Sequence, residues 1–188
     1  KIADLLTSLE NKITINYISN DKSDWDSLLE NDSTQISFEQ VDFNHPLYIM
    51  YSSGTTGKPK SIVHSTGGTL LQHLKEHMLH VNLENEDKIF YFTTCGWMMW
   101  NWLVSSLASG GSIVLYDGHP FFPDNDALLK KMNDLDIHIF GTSAKYISML
   151  KTLKISPNKY DFNNLEVILS TGSPLGDEDF EYVYEEWK

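Results

Sequence analysis

The stretch YSSGTTGKPKSIVHS, residues 51–65, decides how this chain is read. It sets hydroxyls, glycines and two lysines between two apolar runs. Ser52, Ser53, Thr55 and Thr56 offer four hydroxyl donors, and Lys58 and Lys60 supply positive charge. Gly54 and Gly57 let backbone N–H groups approach an anion closely. Pro59 stiffens the exit. This is a phosphate-binding composition, but it is not a Walker A loop. Only two residues separate Gly54 from Gly57, and Pro59 stands where that motif needs Ser or Thr. A Walker A loop also runs into a helix whose N-terminus faces the phosphate. Here the loop runs into Ser61-Ile62-Val63, a strand pattern, so any grip must come from hydroxyls, amides and lysines. The same residues also read as a solvent-exposed hairpin turn, because Gly, Ser, Thr and Pro are turn formers.

Working outward, short apolar runs alternate with helical patterns. Residues 47–51, 61–64, 88–92, 112–116, 137–140 and 167–169 read as strands. Residues 69–81, 97–109, 123–135, 143–153 and 177 onward read as helices. In the first of these, Leu70, Leu71, Leu74, Met78 and Val81 share one face. Gly110-Gly111 stops the second, and Asp124 is a candidate cap for the third. Residues 2–9 and 21–30 read as helices, 13–18 as a strand, and 31–42 as polar loop. Repeated β–α units predict an α/β fold: a mostly parallel β-sheet with helices on both faces. Ligands of such sheets bind where loops leave the carboxyl ends of strands. The loops 52–60, 93–97 and 170–174 are therefore the places to look.

Composition sets outer bounds. The chain has 188 residues, 41% of them hydrophobic, enough for a sizeable core. A net charge of −12 argues against nucleic acid and anionic membranes as partners. It leaves room for an anionic small molecule held by a local lysine pair. Cys95 is the only cysteine, which excludes an intrachain disulfide and a Cys-based zinc cluster and fits a cytoplasmic location. The apolar window 97–108 is too short to span a bilayer. The sequence starts at Lys1 without Met and stops within a helical pattern, so it is expected to be a piece of a longer protein.

Residues 51–60 resemble the signature of the adenylate-forming superfamily, which includes acyl-CoA synthetases, luciferases and peptide-synthetase adenylation domains. Ser61, where members often have Gly or Ala, is a minor departure. Two further stretches, Thr94-Cys-Gly-Trp-Met-Met-Trp-Asn-Trp-Leu-Val104 and Leu169-Ser-Thr-Gly-Ser-Pro-Leu175, resemble the acyl-CoA synthetases that activate acetoacetate. The resemblance is best from Leu47 onward and weak across 1–44. It implies a lead-in segment at 1–44 and a nucleotide- and acyl-binding core at 45–188, within a large N-terminal domain. It further implies that Ser52, Ser53, Gly54, Thr55, Thr56, Gly57, Lys58 and Lys60 clasp the phosphates of ATP. Gly172, Ser173 and Pro174 would lie along adenine and ribose, although they also read as a plain helix-entry turn. Trp97, Met98, Met99 and Thr171 would line the acyl pocket and the path of the CoA thiol.

The implied substrates are acetoacetate, ATP and CoA, with Mg²⁺ accompanying ATP and no protein partner required. The family's Mg²⁺ ligands and its catalytic lysine, on a mobile C-terminal domain, would lie beyond Lys188. No catalytic residue is expected within these residues, which alone should have negligible ligase activity. Acetyl- or propionyl-CoA synthetase, a non-catalytic nucleotide-binding module and a P-loop phosphotransferase are the competing readings; Pro59 speaks against the last.

Other features read as structural. His73, His77 and His80 fall at i, i+4 and i+7, a metal-capable spacing, but nothing nearby completes a ligand set, and they read as a solvated helix edge. Trp100, Leu103, Val104 and Leu107 read as core. Cys95 reads as a small buried residue, with no base to make it a nucleophile. The acidic run from Asp177 suits a helix N-terminus.

Overall fold

The computed structural model describes residues 26, 35–52 and 57–187. The elements expected at 2–9 and 13–18, and nearly all of the helix expected at 21–30, lie outside the described residues. So do Ser53, Gly54, Thr55 and Thr56 of the motif loop. The chain divides into two units, Lys1–Gln40 and Val41–Lys188, and the elements described below belong to the second.

β1 (Pro46–Ser52) and β2 (Lys60–Ser65) form an antiparallel pair with Ser52 opposite Lys60. The motif loop therefore joins two strands, as its sequence indicates. α1 (Thr66–Lys75) follows and widens into a π-helix over Glu76–His80. Then come β3 (Lys88–Tyr91), α2 (Met98–Ser105) and β4 (Ser112–Val114). α3 (Ala127–Leu135), β5 (Ile139–Ser143), α4 (Ala144–Thr152), β6 (Val167–Thr171) and α5 (Asp177–Glu186) complete the unit. The four later strands form one parallel sheet in the order β4–β3–β5–β6.

Strand side chains alternate between faces, and that period of two divides the core. Ile89, Tyr91 and Ile139 pack with Met99, Trp102 and Leu103 of α2. Phe90 and Phe140 point the other way, into Leu128, Met132, Ile147, Leu150 and Trp187. Helices thus cover both faces of the sheet. Ser143 caps α4 by accepting a hydrogen bond from the Tyr146 amide at 3.3 Å. A 3-10 turn follows α2 and ends at Gly110, whose φ of 83° is the left-handed stop its sequence predicts. Glu178 and Asp179 in the first turn of α5 meet Lys151 at 2.7 and 3.4 Å.

Gly141 sits where two strands meet most tightly. It pairs with Tyr91 across β5 and β3. A Cβ there would stand 2.0 Å from Cδ2 of the Tyr91 ring. That ring cannot swing away easily, because Trp97 and Trp102 hold its edges at 6.4 and 6.0 Å between centroids. Gly141→Ala is expected to destabilise the fold by about 2–3 kcal/mol. The check is a urea titration of the variant: a loss below about 0.5 kcal/mol would show that the ring yields.

Several sequence expectations are corrected. Along α1 and the π-helix that continues it, the buried face is Thr69, His73 and His77, while Leu70, Leu71 and Met78 are 45%, 65% and 56% exposed. The imidazoles turn inward because α2 offers them hydrogen-bond partners, which a hydrophobicity pattern does not register. α3 begins at Ala127, not near Pro123, and Asp124 contributes its carbonyl to Ala127 N–H rather than a side-chain cap. Asp126, just before the helix, gives its carboxylate to Lys159 and to the Tyr160 hydroxyl, and those bonds hold its pKa down. Cys95 is exposed, on the turn after β3. Leu103 is core as expected, but Val104 and Leu107 are exposed, and Met99 and Trp102 take their place. Among the described residues no helix is long and apolar enough to cross a membrane.

Candidate functional site

Three cavities open around the carboxyl ends of β3 and β6. The largest, about 890 Å³, lies between β2, α1, α2 and β6. Met98, Met99 and Thr171 all line it, so three of the four residues expected to bound an acyl pocket come together there. Tyr91, Leu169 and His73 complete much of its wall. The fourth, Trp97, lines a neighbouring cavity of about 750 Å³ beside Thr93, Thr94 and Cys95. Tyr91 belongs to both walls.

Gly172 follows β6 directly. Its φ of 95° lies in the left-handed region, and the Trp97 ring stands 3.7 Å from where a Cβ would be. Any other residue would strain the turn. Beyond it, Ser173 and Pro174 wall a cavity of about 610 Å³ together with Phe180, Tyr184 and Trp187. Ser170 lines both that cavity and the largest one. The turn 171–174 therefore carries Thr171 to one side and Ser173-Pro174 to another.

Of the motif loop, Ser52, Gly57, Lys58 and Lys60 are described. Both lysines are exposed, Ser52 is half-buried, and β2 follows directly. A strand, β2, and not a helix follows the loop, and the positive charge described here is that of Lys58 and Lys60.

The polar side of the large cavity is a network that sequence reasoning missed. His77 is fully buried, and its Nε2–H donates to the Trp102 carbonyl at 2.9 Å. Its ring packs 4.0 Å from that of Trp102. Burial lowers its pKa, and Nδ1 is buried without a partner, so the ring is held neutral. His73 is 8% exposed and meets Ser105 Oγ through Nδ1 at 2.9 Å. Burial lowers its pKa too. The Ser105 hydroxyl also lies 2.7 Å from the Trp102 carbonyl. Glu76 accepts from Trp102 Nε1 at 2.8 Å and from Gln72 Nε2 at 2.6 Å. Part of the signal was present as His73 and His77 at i and i+4, which together with His80 read as a solvated edge. Among the described residues no group of three or more His, Cys, Asp or Glu side chains is placed to hold a metal ion.

Comparison with known proteins agrees with this architecture. The model of a family described as AMP-binding enzyme matches residues 2–188. The acetoacetyl-CoA synthetase of Gallus gallus is 54% identical over 155 residues, covering 82% of this chain and 23% of that protein. A malonamoyl-CoA synthetase of Penicillium aethiopicum is 44% identical over 169 residues, covering 82% of this chain and 23% of its own length. The solved acetoacetyl-CoA synthetase from Streptomyces lividans superposes with a TM-score of 0.78 at 43% identity, over 87% of this chain and 25% of that one. The chain thus spans about a quarter of the length of the relatives it matches.

Proposed function

This chain belongs to the AMP-binding enzyme family, and on that premise we propose that it forms the ATP- and acyl-binding part of an acetoacetate–CoA ligase. The observation that carries this is the high identity to acetoacetyl-CoA synthetases across four-fifths of the chain. The acyl groups in the relatives' names, acetoacetyl and malonamoyl, share a carbonyl at C3. We therefore assign C3-carbonyl acids as the substrate class, with acetoacetate its first member.

In the proposed reaction a carboxylate oxygen of acetoacetate attacks the α-phosphorus of ATP. The bond from that phosphorus to the β-phosphate oxygen breaks and pyrophosphate leaves. The sulfur of the CoA thiolate then attacks the acyl carbon of the adenylate, and the C–O bond to AMP breaks. Both steps gather negative charge on oxygen, so the protein's work is positioning and electrostatic stabilisation. Ser52 through Lys60 would hold the phosphates, and Gly172, Ser173 and Pro174 the nucleoside. Met98, Met99 and Thr171 would take the acyl chain, with Trp97 on the thiol's approach. Mg²⁺ would travel with the phosphates of ATP. The cytoplasm is the proposed location, consistent with a lone, exposed thiol. The reading needs no protein partner.

The test is pyrophosphate release by the complete ligase carrying this chain, with acetate, propionate and acetoacetate in parallel. Acetoacetate is expected to give the highest kcat/KM. A preference for acetate or propionate would move the enzyme to a sibling activity, and no release with any acid would leave a nucleotide-binding module.

A further inference from the structure

Part of the large cavity's polar wall is already engaged, while Ser65, Ser170 and Thr171 line it as well. Glu76 is taken by Trp102 and Gln72. His73 also lines the cavity; its Nδ1 is tied to Ser105, and among the described residues no hydrogen bond engages its Nε2. The same cavity holds Met98, Met99 and Thr171.

Ser105 lets this imidazole change its role without a change of charge. Its single hydroxyl proton lies within reach of two acceptors, the Trp102 carbonyl at 2.7 Å and His73 Nδ1 at 2.9 Å. When Ser105 donates to the carbonyl, its oxygen accepts from His73 Nδ1–H, and Nε2 is a bare acceptor. When the hydroxyl rotates to donate to Nδ1, the ring proton sits on Nε2, which becomes a donor. The Trp102 carbonyl is not orphaned by that rotation, because His77 Nε2–H donates to it at 2.9 Å. Two histidines and one serine thus form a neutral device that presents a hydrogen-bond donor to a mostly apolar cavity. A charged donor there would cost more to bury.

We propose that His73 Nε2–H donates to the C3 carbonyl oxygen of the acyl substrate and so selects acetoacetate over acids of equal length that lack this oxygen. The inference rests on the ligase reading above. Ser105 acts through His73 as a positioning residue. Met98 and Met99 supply the adaptable apolar surface against which the short chain lies.

The experiment compares kcat/KM for acetoacetate with that for butyrate, the four-carbon acid without the ketone, in the complete ligase. His73→Leu is expected to lower the acetoacetate-to-butyrate ratio by about 100-fold, since a site built to hydrogen-bond a substrate group discriminates strongly on it. His73→Asn and His73→Gln guard against misfolding. Asn reaches only the Nδ1 position, so its ratio should fall like that of Leu. Gln carries an N–H near the Nε2 position and should keep the ratio within about tenfold of the unmodified enzyme. Ser105→Ala should lower the same ratio, which a purely structural loss would not move. A wild-type enzyme indifferent to acetoacetate overturns the ligase reading and this inference together. A wild-type enzyme that prefers acetoacetate, with Leu and Asn variants whose ratio stays within about threefold, overturns this inference alone. So does an equal fall for both acids.

Discussion

Phe140→Ala is expected to cost the fold about 3–5 kcal/mol, the range for removing a large aromatic side chain from a packed core. Phe140 is completely buried on the central strand β5. Its ring meets Phe90 at 5.6 Å, Tyr146 at 6.1 Å and Trp187 at 5.9 Å between centroids. Trp187 in turn stacks on Phe162 at 5.9 Å. Truncation would remove the one ring that contacts β3, α4 and the segment after α5 together. Neither the sheet nor a stacked aromatic layer can collapse far enough to fill the gap, so the cavity term adds to the transfer term. The measurement is a urea titration of the 188-residue chain, with Phe180→Ala as a control because Phe180 is 48% exposed. The control should lose less than about 1 kcal/mol. A Phe140→Ala loss below about 1.5 kcal/mol would mean that the layer repacks freely, and the account of this core would be wrong.

Phe140 also illustrates what the sequence discloses. Ile137-His-Ile-Phe140 is a short, mostly apolar run between Asp136 and Gly141, and its length argues for a buried strand. The strands of the parallel sheet were legible in this way, because strands covered by helices are rich in apolar residues. The boundaries were less legible. β5 runs on through Gly141 to Ser143 and β6 runs on to Thr171, because parallel partners supply backbone hydrogen bonds regardless of side chain. α3 shows the reverse failure. Asp124 looked like a cap, but the residue next to the helix is Asp126, and its carboxylate is spent on Lys159 and Tyr160, more than thirty residues away. No local pattern encodes that competition.

The candidate site divides along the same line. The hydroxyl, glycine and lysine composition of the motif loop is written in consecutive residues, and so is the turn at Gly172. The pocket's polar lining is not. His73 lies on α1 and His77 on the π-helical turn that continues it, and their partners, Ser105 and the Trp102 carbonyl, lie on α2. A helix carrying Leu70, Leu71, Leu74 and Met78 looks as though those residues face the core. The decisive term is a set of hydrogen bonds across 25 to 32 residues of chain, because burying an imidazole is tolerable only where such partners exist. The π-helical turn at Glu76–His80 adjusts the helix at this very point. It belongs to an irregularity that recurs at functional sites, and nothing in the residue types announces it.

Replacing Lys58 and Lys60 together by alanine is expected to reduce kcat/KM for ATP in the complete ligase by about 10²–10³-fold. The proposed loop must stabilise phosphate charge without a helix dipole, because β2 begins at Lys60 and pairs back onto β1. A Walker A loop shares that work between a lysine and a helix N-terminus. Here, on the proposed reading, the two ammonium groups would carry a larger share. Charge-assisted hydrogen bonds contribute about 1.5–3 kcal/mol each, and two of the weaker ones already reach the lower end of the expected loss. The effect should fall on ATP, leaving KM for acetoacetate within about threefold. It should also shrink at high ionic strength, where exposed lysines are screened in the unmodified enzyme as well. Folding should be unaffected to within about 0.5 kcal/mol, since both side chains are exposed and surface substitutions of this kind are nearly neutral. Steady-state kinetics at low and high salt, with a thermal melt alongside, separates these terms. If the double variant changes kcat/KM for ATP by less than about threefold, the lysines do not grip the phosphates. The hydroxyls and amides of the loop would then have to do so alone, and the hairpin-turn reading of Lys58-Pro59-Lys60 would be the better one.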